Sequence, residues 1–205
     1  VYHLASRAKS AYRGGMSLKA RLAPKIGPWT RARSEVVATY RVFGVERHEI
    51  VDSAGKPRND VNTLRFPDWC NVLAITPDDH MVFVWQYRFG TGEMSLEVPG
   101  GVIDAGESPI DAARRELAEE SGYECEALEP LAQVEANPAM QANVCHSFVA
   151  RGAVPTGKQD FDDLEELEVV LVPLADLPAL IDEGLVRHAL VVSAIETFLR
   201  RSRRA

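Results

Sequence analysis

Gly101-Val-Ile-Asp-Ala-Gly-Glu-Ser-Pro-Ile-Asp-Ala-Ala-Arg-Arg-Glu-Leu-Ala-Glu-Glu-Ser-Gly-Tyr123 is the stretch on which the reading of this chain turns. It is a loop that feeds one helix. Ser108 is placed to cap that helix, Pro109 suits a first turn where its missing N–H would have no partner, and Asp111 favours the positive N-terminal end. Gly122 is suited to close the helix in a left-handed conformation. At roughly 100° per residue, Ile110, Ala113 and Leu117 form a narrow apolar stripe, and Glu116, Glu119 and Glu120 fall together on the flank beside it.

Three glutamates on a helix are ordinarily a solvated face. Glu116 and Glu120, however, stand i,i+4 with no lysine between them, and their repulsion costs about a few tenths of a kcal/mol unless a cation sits there. Mg²⁺ takes oxygen ligands, keeps several waters, and is held by one or two carboxylates together with substrate phosphates. The Pro99-Gly100-Gly101 turn just upstream lets backbone carbonyls approach the same place, because glycine has no Cβ to obstruct them.

The spacing resembles the signature of the Nudix hydrolase family at every fixed position. Gly101 is followed after five residues by Glu107, after seven more by Arg115-Glu116-Leu117, then by Glu119-Glu120 and by Gly122 with a hydrophobe after it. That hydrophobe is usually aliphatic and here is Tyr123. A weaker similarity, to the ADP-ribose and nucleotide-sugar pyrophosphatase branch, extends over roughly residues 35–200. The resemblance implies an α/β fold, an α/β/α sandwich with a mixed sheet and a small N-terminal β element. It also implies Glu116 and Glu120 as principal metal ligands, Glu119 as a further ligand or base, and the Gly100 carbonyl as a candidate backbone ligand. The implied cofactor is Mg²⁺, with Mn²⁺ as a substitute. Glu107 is read as orienting Arg115 or supporting a metal through water, and Arg115 as fixing the glutamates.

Composition bounds the rest. A chain of 205 residues with 46% hydrophobic content is long enough for one well-packed domain. No apolar run reaches 18 residues, so no membrane-spanning helix is expected. Cys70, Cys125 and Cys145 are odd in number and lack paired metal spacing, which favours reduced core thiols and a cytoplasmic setting. The net charge of −7 hides an asymmetry: residues 1–34 carry eight Lys or Arg and no acid, and the remainder carries 15 basic against 30 acidic residues. So acidic a body repels phosphate polymers, and nucleic acid is not an expected partner. Residues 1–34 are read as a basic extension, either a disordered or targeting arm or a leader from a misplaced start codon, ahead of a catalytic domain over 35–205.

Residues 36–43 and 45–51 are rich in β-branched and aromatic side chains and read as strands, with turn chemistry at 52–57. In the resembled branch such strands pack on a second subunit, which implies a homodimer. Trp69 to Thr76 and Met81 to Tyr87 read as a central hairpin across Pro77–His80. Trp69 is either a core ring or, by resemblance, near the nucleotide. Arg88 is either a surface ion pair or, by resemblance, a contact to the diphosphate, for which a planar, permanently charged guanidinium is suited. Glu97 is either a strand-edge carboxylate or a group near metals or substrate.

Past the helix, strands are expected at 128–135 and 144–150, flanking a loop that holds Pro138, 15 residues after Tyr123. A proline about there resembles the ADP-ribose-type enzymes. Residues 155–166 form a polar loop, from which relatives use a glutamate to activate water; Glu165 matches best, with Asp163 and Glu166 as rivals. An apolar strand over 167–173 follows. A closing amphipathic helix over about 187–200 would pack through Leu190, Ala194, Ile195, Phe198 and Leu199.

These features lead to an expected Mg²⁺-dependent hydrolase that cleaves the diphosphate of ADP-ribose or a related nucleoside diphosphate sugar. Two alternatives stand beside it. One is a nucleoside triphosphate pyrophosphatase. The other is a ligand-sensing module of the same fold without turnover, which the complete set of signature glutamates disfavours.

Overall fold

A strand buried on both faces must be apolar at successive positions, and Cys70 to Ile75 are all buried. The computed structural model describes residues 17–157, 159 and 166–203. Its elements in chain order are α1 (Leu18–Arg21), β1 (Thr30–Thr39), β2 (Gly44–Val51), β3 (Val61–Arg65), β4 (Trp69–Ile75), β5 (His80–Arg88) and β6 (Glu93–Glu97). There follow α2 (Pro109–Ser121), β7 (Tyr123–Glu124), β8 (Leu128–Glu135), β9 (Val144–Arg151), β10 (Val154–Pro155), β11 (Glu168–Pro173), α3 (Leu177–Asp182) and α4 (Ala189–Ser202). The main sheet runs β11-β5-β4-β9-β8, with β4 and β9 parallel and β6 paired to β5.

Alternation along β4 divides the core into two layers. Cys70, Val72 and Ala74 face α2, where they meet Ala112, Ala113 and Leu117. Leu73 and Ile75 point the other way, onto Leu177 and Leu180 of α3 and Val191, Ala194, Ile195 and Phe198 of α4. Successive side chains on a strand alternate between faces, so one apolar run serves both layers. The result is the expected α/β/α sandwich with a mixed sheet.

Three expectations need correction. The central hairpin is confined to its turn end: the β4–β5 register holds the pair Ile75 and Met81. Beyond it the strands part, because Cys70 N–H donates to the Gly101 carbonyl, Val72 N–H to the Pro99 carbonyl, and Ile103 N–H to the Asp68 carbonyl. The glycine turn thus occupies the edge of β4 that the hairpin reading gave to β5. A Cβ on Gly100 would collide with the Cys70 carbonyl oxygen, so this approach requires glycine. On α2, Ile110 lies outside the buried stripe at 38% exposure, whereas Ala112 is fully buried. On α4, Val191 and not Leu190 is the buried first-turn residue.

β1, β2 and β3 make a separate three-stranded sheet, and β1 begins at Thr30, inside the stretch read as an extension. The chain divides into two compact units, residues 1–34 with 48–61 and residues 35–47 with 62–205. In the first, the buried His48 bonds Ser34 Oγ through Nδ1 at 2.7 Å. There Asp52 accepts from the N–H groups of Ala54 and Lys56 and from Arg58. All site residues described below belong to the second unit. Among the described residues no helix is long and apolar enough to cross a membrane.

Candidate active site

Helix α2 forms as its caps predict. Ser108 Oγ accepts from Asp111 N–H, Pro109 stands in the first turn, and Gly122 closes the helix at φ 67°. Its orientation is set by the apolar face against β4. That orientation carries Glu120 into the interior at 5% exposure, which corrects its expected place on an open flank. Glu120 Oε2 accepts a hydrogen bond of 2.8 Å from the Gly100 N–H, so the glycine turn and the end of α2 meet at this carboxylate.

The other signature carboxylates gather on one guanidinium. Arg115 grips Glu107 with two bonds, Nε to Oε1 at 3.0 Å and Nη2 to Oε2 at 2.9 Å. Its Nη1 donates to Glu116 at 2.9 Å and to Glu119 at 3.0 Å, and Nη2 donates to the Val102 carbonyl at 3.1 Å. Glu107 is held below the usual carboxylate range by its bonds from Arg115, which outweigh the opposing effect of desolvation, with a lesser contribution from the Asp104 N–H. The Arg115 guanidinium is pushed above its already high value by the bonds from Glu107 and the other glutamates, which outweigh its partial burial.

Glu116, Glu119 and Glu120 therefore do not converge on one point; among the described residues no group of three acidic, His or Cys side chains is arranged as a metal-ligand set. The donor chemistry nevertheless fits a hard divalent cation. The groups are all carboxylates, three of them bonded to a single guanidinium and Glu120 to the Gly100 N–H, and such a surplus of negative charge suits a cation with oxygen ligands. Gly101 preserves the room: a Cβ there would stand 2.5 Å from Glu116 Oε1.

A second network lies beside a cleft of about 580 Å³ lined by Phe66, Trp69, Arg88, Asn143, Arg187 and His188, among others. Arg88 Nε and Nη2 bond the two Glu97 oxygens at 2.8 Å each, and His188 Nδ1 reaches Glu97 Oε2 at 2.6 Å. Burial at 3% exposure opposes ionisation of Glu97, but the bonds from Arg88 and His188 outweigh it and hold the carboxyl well below the ordinary range. The Arg88 guanidinium carbon lies 6.0 Å from the Trp69 ring centroid. Trp69 in turn bridges to Val102, whose carbonyl accepts from Arg115, so the cleft and the carboxylate cluster share a wall.

Pro138 is exposed in the turn closed by the Asn137 carbonyl, and the cleft takes Ala136, Gln141 and Asn143 from the same loop instead. Glu165 and its rival Asp163 lie outside the described residues; Glu166 is exposed. Thr156 N–H and Oγ donate to the Gly122 carbonyl, and Gln159 Nε2 to the Glu120 carbonyl, so these two residues are tied to the end of α2. The three cysteines are free and buried, and burial raises the Cys70 thiol to about 12 and Cys145 to about 11.

A sandwich with a glycine turn bonded to a glutamate-bearing helix defines a class of enzyme, the Nudix hydrolases. The NUDIX domain pattern matches residues 65–193, and the chain belongs to that family. It is 37% identical over 110 residues to a methanol dehydrogenase activator of Bacillus methanolicus, covering 51% of this chain and 60% of that protein. It is 31% identical over 134 residues to an ADP-ribose pyrophosphatase of Bacillus subtilis (strain 168), covering 65% of this chain and 72% of that protein. A crystal structure of an ADP compounds hydrolase superposes with a TM-score of 0.78 at 29% identity, over 88% of this chain and 97% of the other.

Proposed function

We propose that this chain hydrolyses the diphosphate of ADP-ribose, or of a related nucleoside diphosphate sugar, to a nucleoside monophosphate and a sugar phosphate. The observation that carries the reading is the pairing of a cleft bearing aromatic rings, two arginines and a histidine with the carboxylate cluster behind its wall. Its support among relatives is the likeness to an ADP-ribose pyrophosphatase and an ADP compounds hydrolase.

Glu116 and Glu120 would hold Mg²⁺, or Mn²⁺ in its place, with Glu119 and the Gly100 carbonyl as further ligands. When bound, the ion neutralises phosphate charge and stabilises the charge that builds on the leaving group. Arg115 ties Glu116 and Glu119 to one nitrogen, Nη1, while Glu107 holds Arg115. Arg88 meets the diphosphate with a planar, permanently charged group. Trp69 and Phe66 offer faces on which a base can stack. Water attacks phosphorus, the phosphoanhydride P–O bond breaks towards the leaving phosphate, and the water proton passes to a carboxylate. Glu165 is assigned as that base by the resemblance of its loop to relatives that use a glutamate there, and Glu119 is the alternative.

The exposed Val36, Val37, Tyr40 and Val42 suit a second copy of the chain, and a homodimer is the proposed assembly. The free buried thiols suit the cytoplasm. A product assay tests the reaction. ADP-ribose should yield AMP and ribose 5-phosphate, EDTA should stop the reaction, and excess Mg²⁺ should restore it. Preferential release of pyrophosphate from nucleoside triphosphates would move the chain to another substrate class. Tight binding without turnover would mark it as a sensing module.

A further inference from the structure

His188 stands at the N-cap of α4, a position that favours Ser, Thr, Asp or Asn, yet it makes no capping bond. Its ring turns instead to Glu97, 91 residues earlier in the chain. The attachment is doubled. Glu93 and Glu97, four apart on β6, lie on one face of that strand, and Arg187 and His188 engage them in turn. The Arg187–Glu93 pair is exposed and worth little, whereas Glu97 is buried at 3% exposure, so its oxygens depend on protein donors.

Those donors are arranged in series. Glu97 Oε1 takes Arg88 Nε, and Oε2 is shared between Arg88 Nη2 and His188 Nδ1. A carboxylate accepts, so Nδ1 carries the hydrogen. The guanidinium is planar, and a carboxylate that fixes one edge fixes the whole plane. Here the fixed group lines the cleft beside Trp69, and His188 lines the same cleft. Removing the imidazole would free the Glu97 carboxylate to rotate and would carry the Arg88 plane with it.

We propose that His188 is a positioning residue: through Glu97 it sets the orientation in which Arg88 meets the diphosphate. The inference rests on the Arg88 contact assigned under the proposed function, and it adds a residue that holds that contact in place.

The test is steady-state kinetics with ADP-ribose and Mg²⁺ on the full chain, with thermal unfolding measured on each variant. His188→Ala should raise KM about tenfold with kcat within about twofold, the loss of about one hydrogen bond to a charged group. His188→Asn, whose amide N–H stands near the place of Nδ1–H, should recover most of that loss. His188→Phe keeps a ring without the donor and should behave as His188→Ala, which covers the case where the alanine variant does not fold. In an Arg88→Ala background, His188→Ala should raise KM no further. An unchanged KM with a lowered Tm would assign His188 to stability alone and overturn the proposal. An equal rise in both backgrounds would overturn it too, because His188 would then act without Arg88. Wild-type protein that turns over no nucleoside diphosphate sugar would refute the function itself, and this inference with it.

Discussion

The two charged networks of this enzyme are opposites in composition. Around Arg115, one guanidinium serves Glu107, Glu116 and Glu119, with Glu120 a turn away on the Gly100 N–H. Around Glu97, one carboxylate is served by an arginine and a histidine. The first has carboxylates in surplus and suits a cation. The second has donors in surplus and suits an anion. On the proposed function, a phosphate chain near the Trp69–Val102 bridge would meet a cation held by the first network and oriented donors from the second.

The comparison breaks most visibly at Glu120. Replacing it with glutamine removes charge from the surplus side but keeps an oxygen to accept from Gly100. Turnover should fall by about two orders of magnitude or more, with the melting temperature within about 3 °C of wild type. Near-normal kcat would remove Glu120 from the ion site, and a large loss of melting temperature would make its role structural.

A smaller effect sharpens the other side. Glu97 is ionised in the fold at pH values where an ordinary carboxylate, near about 4.3, takes up its proton. A carboxyl with a depressed folded value contributes stability that is complete above the unfolded value and is lost as pH falls towards the folded one. Glu97→Gln should therefore cost about 1–3 kcal/mol at neutral pH, and the gap to wild type should narrow below about pH 5. Urea unfolding of both proteins across that range gives the answer. A gap that holds constant into acid would deny Glu97 its charge-dependent role.

How much of this was legible in the sequence depended on how local each cause was. The caps of α2 are set by Ser108, Pro109 and Gly122 within the helix itself, and they were readable as such. The face of Glu120 was not, because angular position on a helix does not say which arc the sheet will cover. Its burial follows from the packing of α2 on β4, and the Gly100 N–H that then meets it comes from 20 residues away in the chain. The hairpin between β4 and β5 was over-read for a related reason. Sequence neighbours tend to pair, but the glycine turn takes most of that edge of β4 through bonds from Cys70 and Val72. His188 and Arg187 gave no signal beyond their place before an apolar helical repeat, since their partners lie on β6. The same holds for Asn143 and Phe66 in the cleft. Glu165, which the resemblance implies as the base, lies outside the described residues.

The division of labour between the two networks is tested most directly by titrating Mn²⁺ into wild type, Glu116→Gln and Arg88→Ala and following the free ion by electron paramagnetic resonance. Glu116→Gln should weaken Mn²⁺ binding by about tenfold or more, as loss of a ligand or its support does, and Arg88→Ala should leave it within about twofold. Unaltered binding in Glu116→Gln, or an equal loss in Arg88→Ala, would contradict the assignment of the cation to the Arg115 cluster.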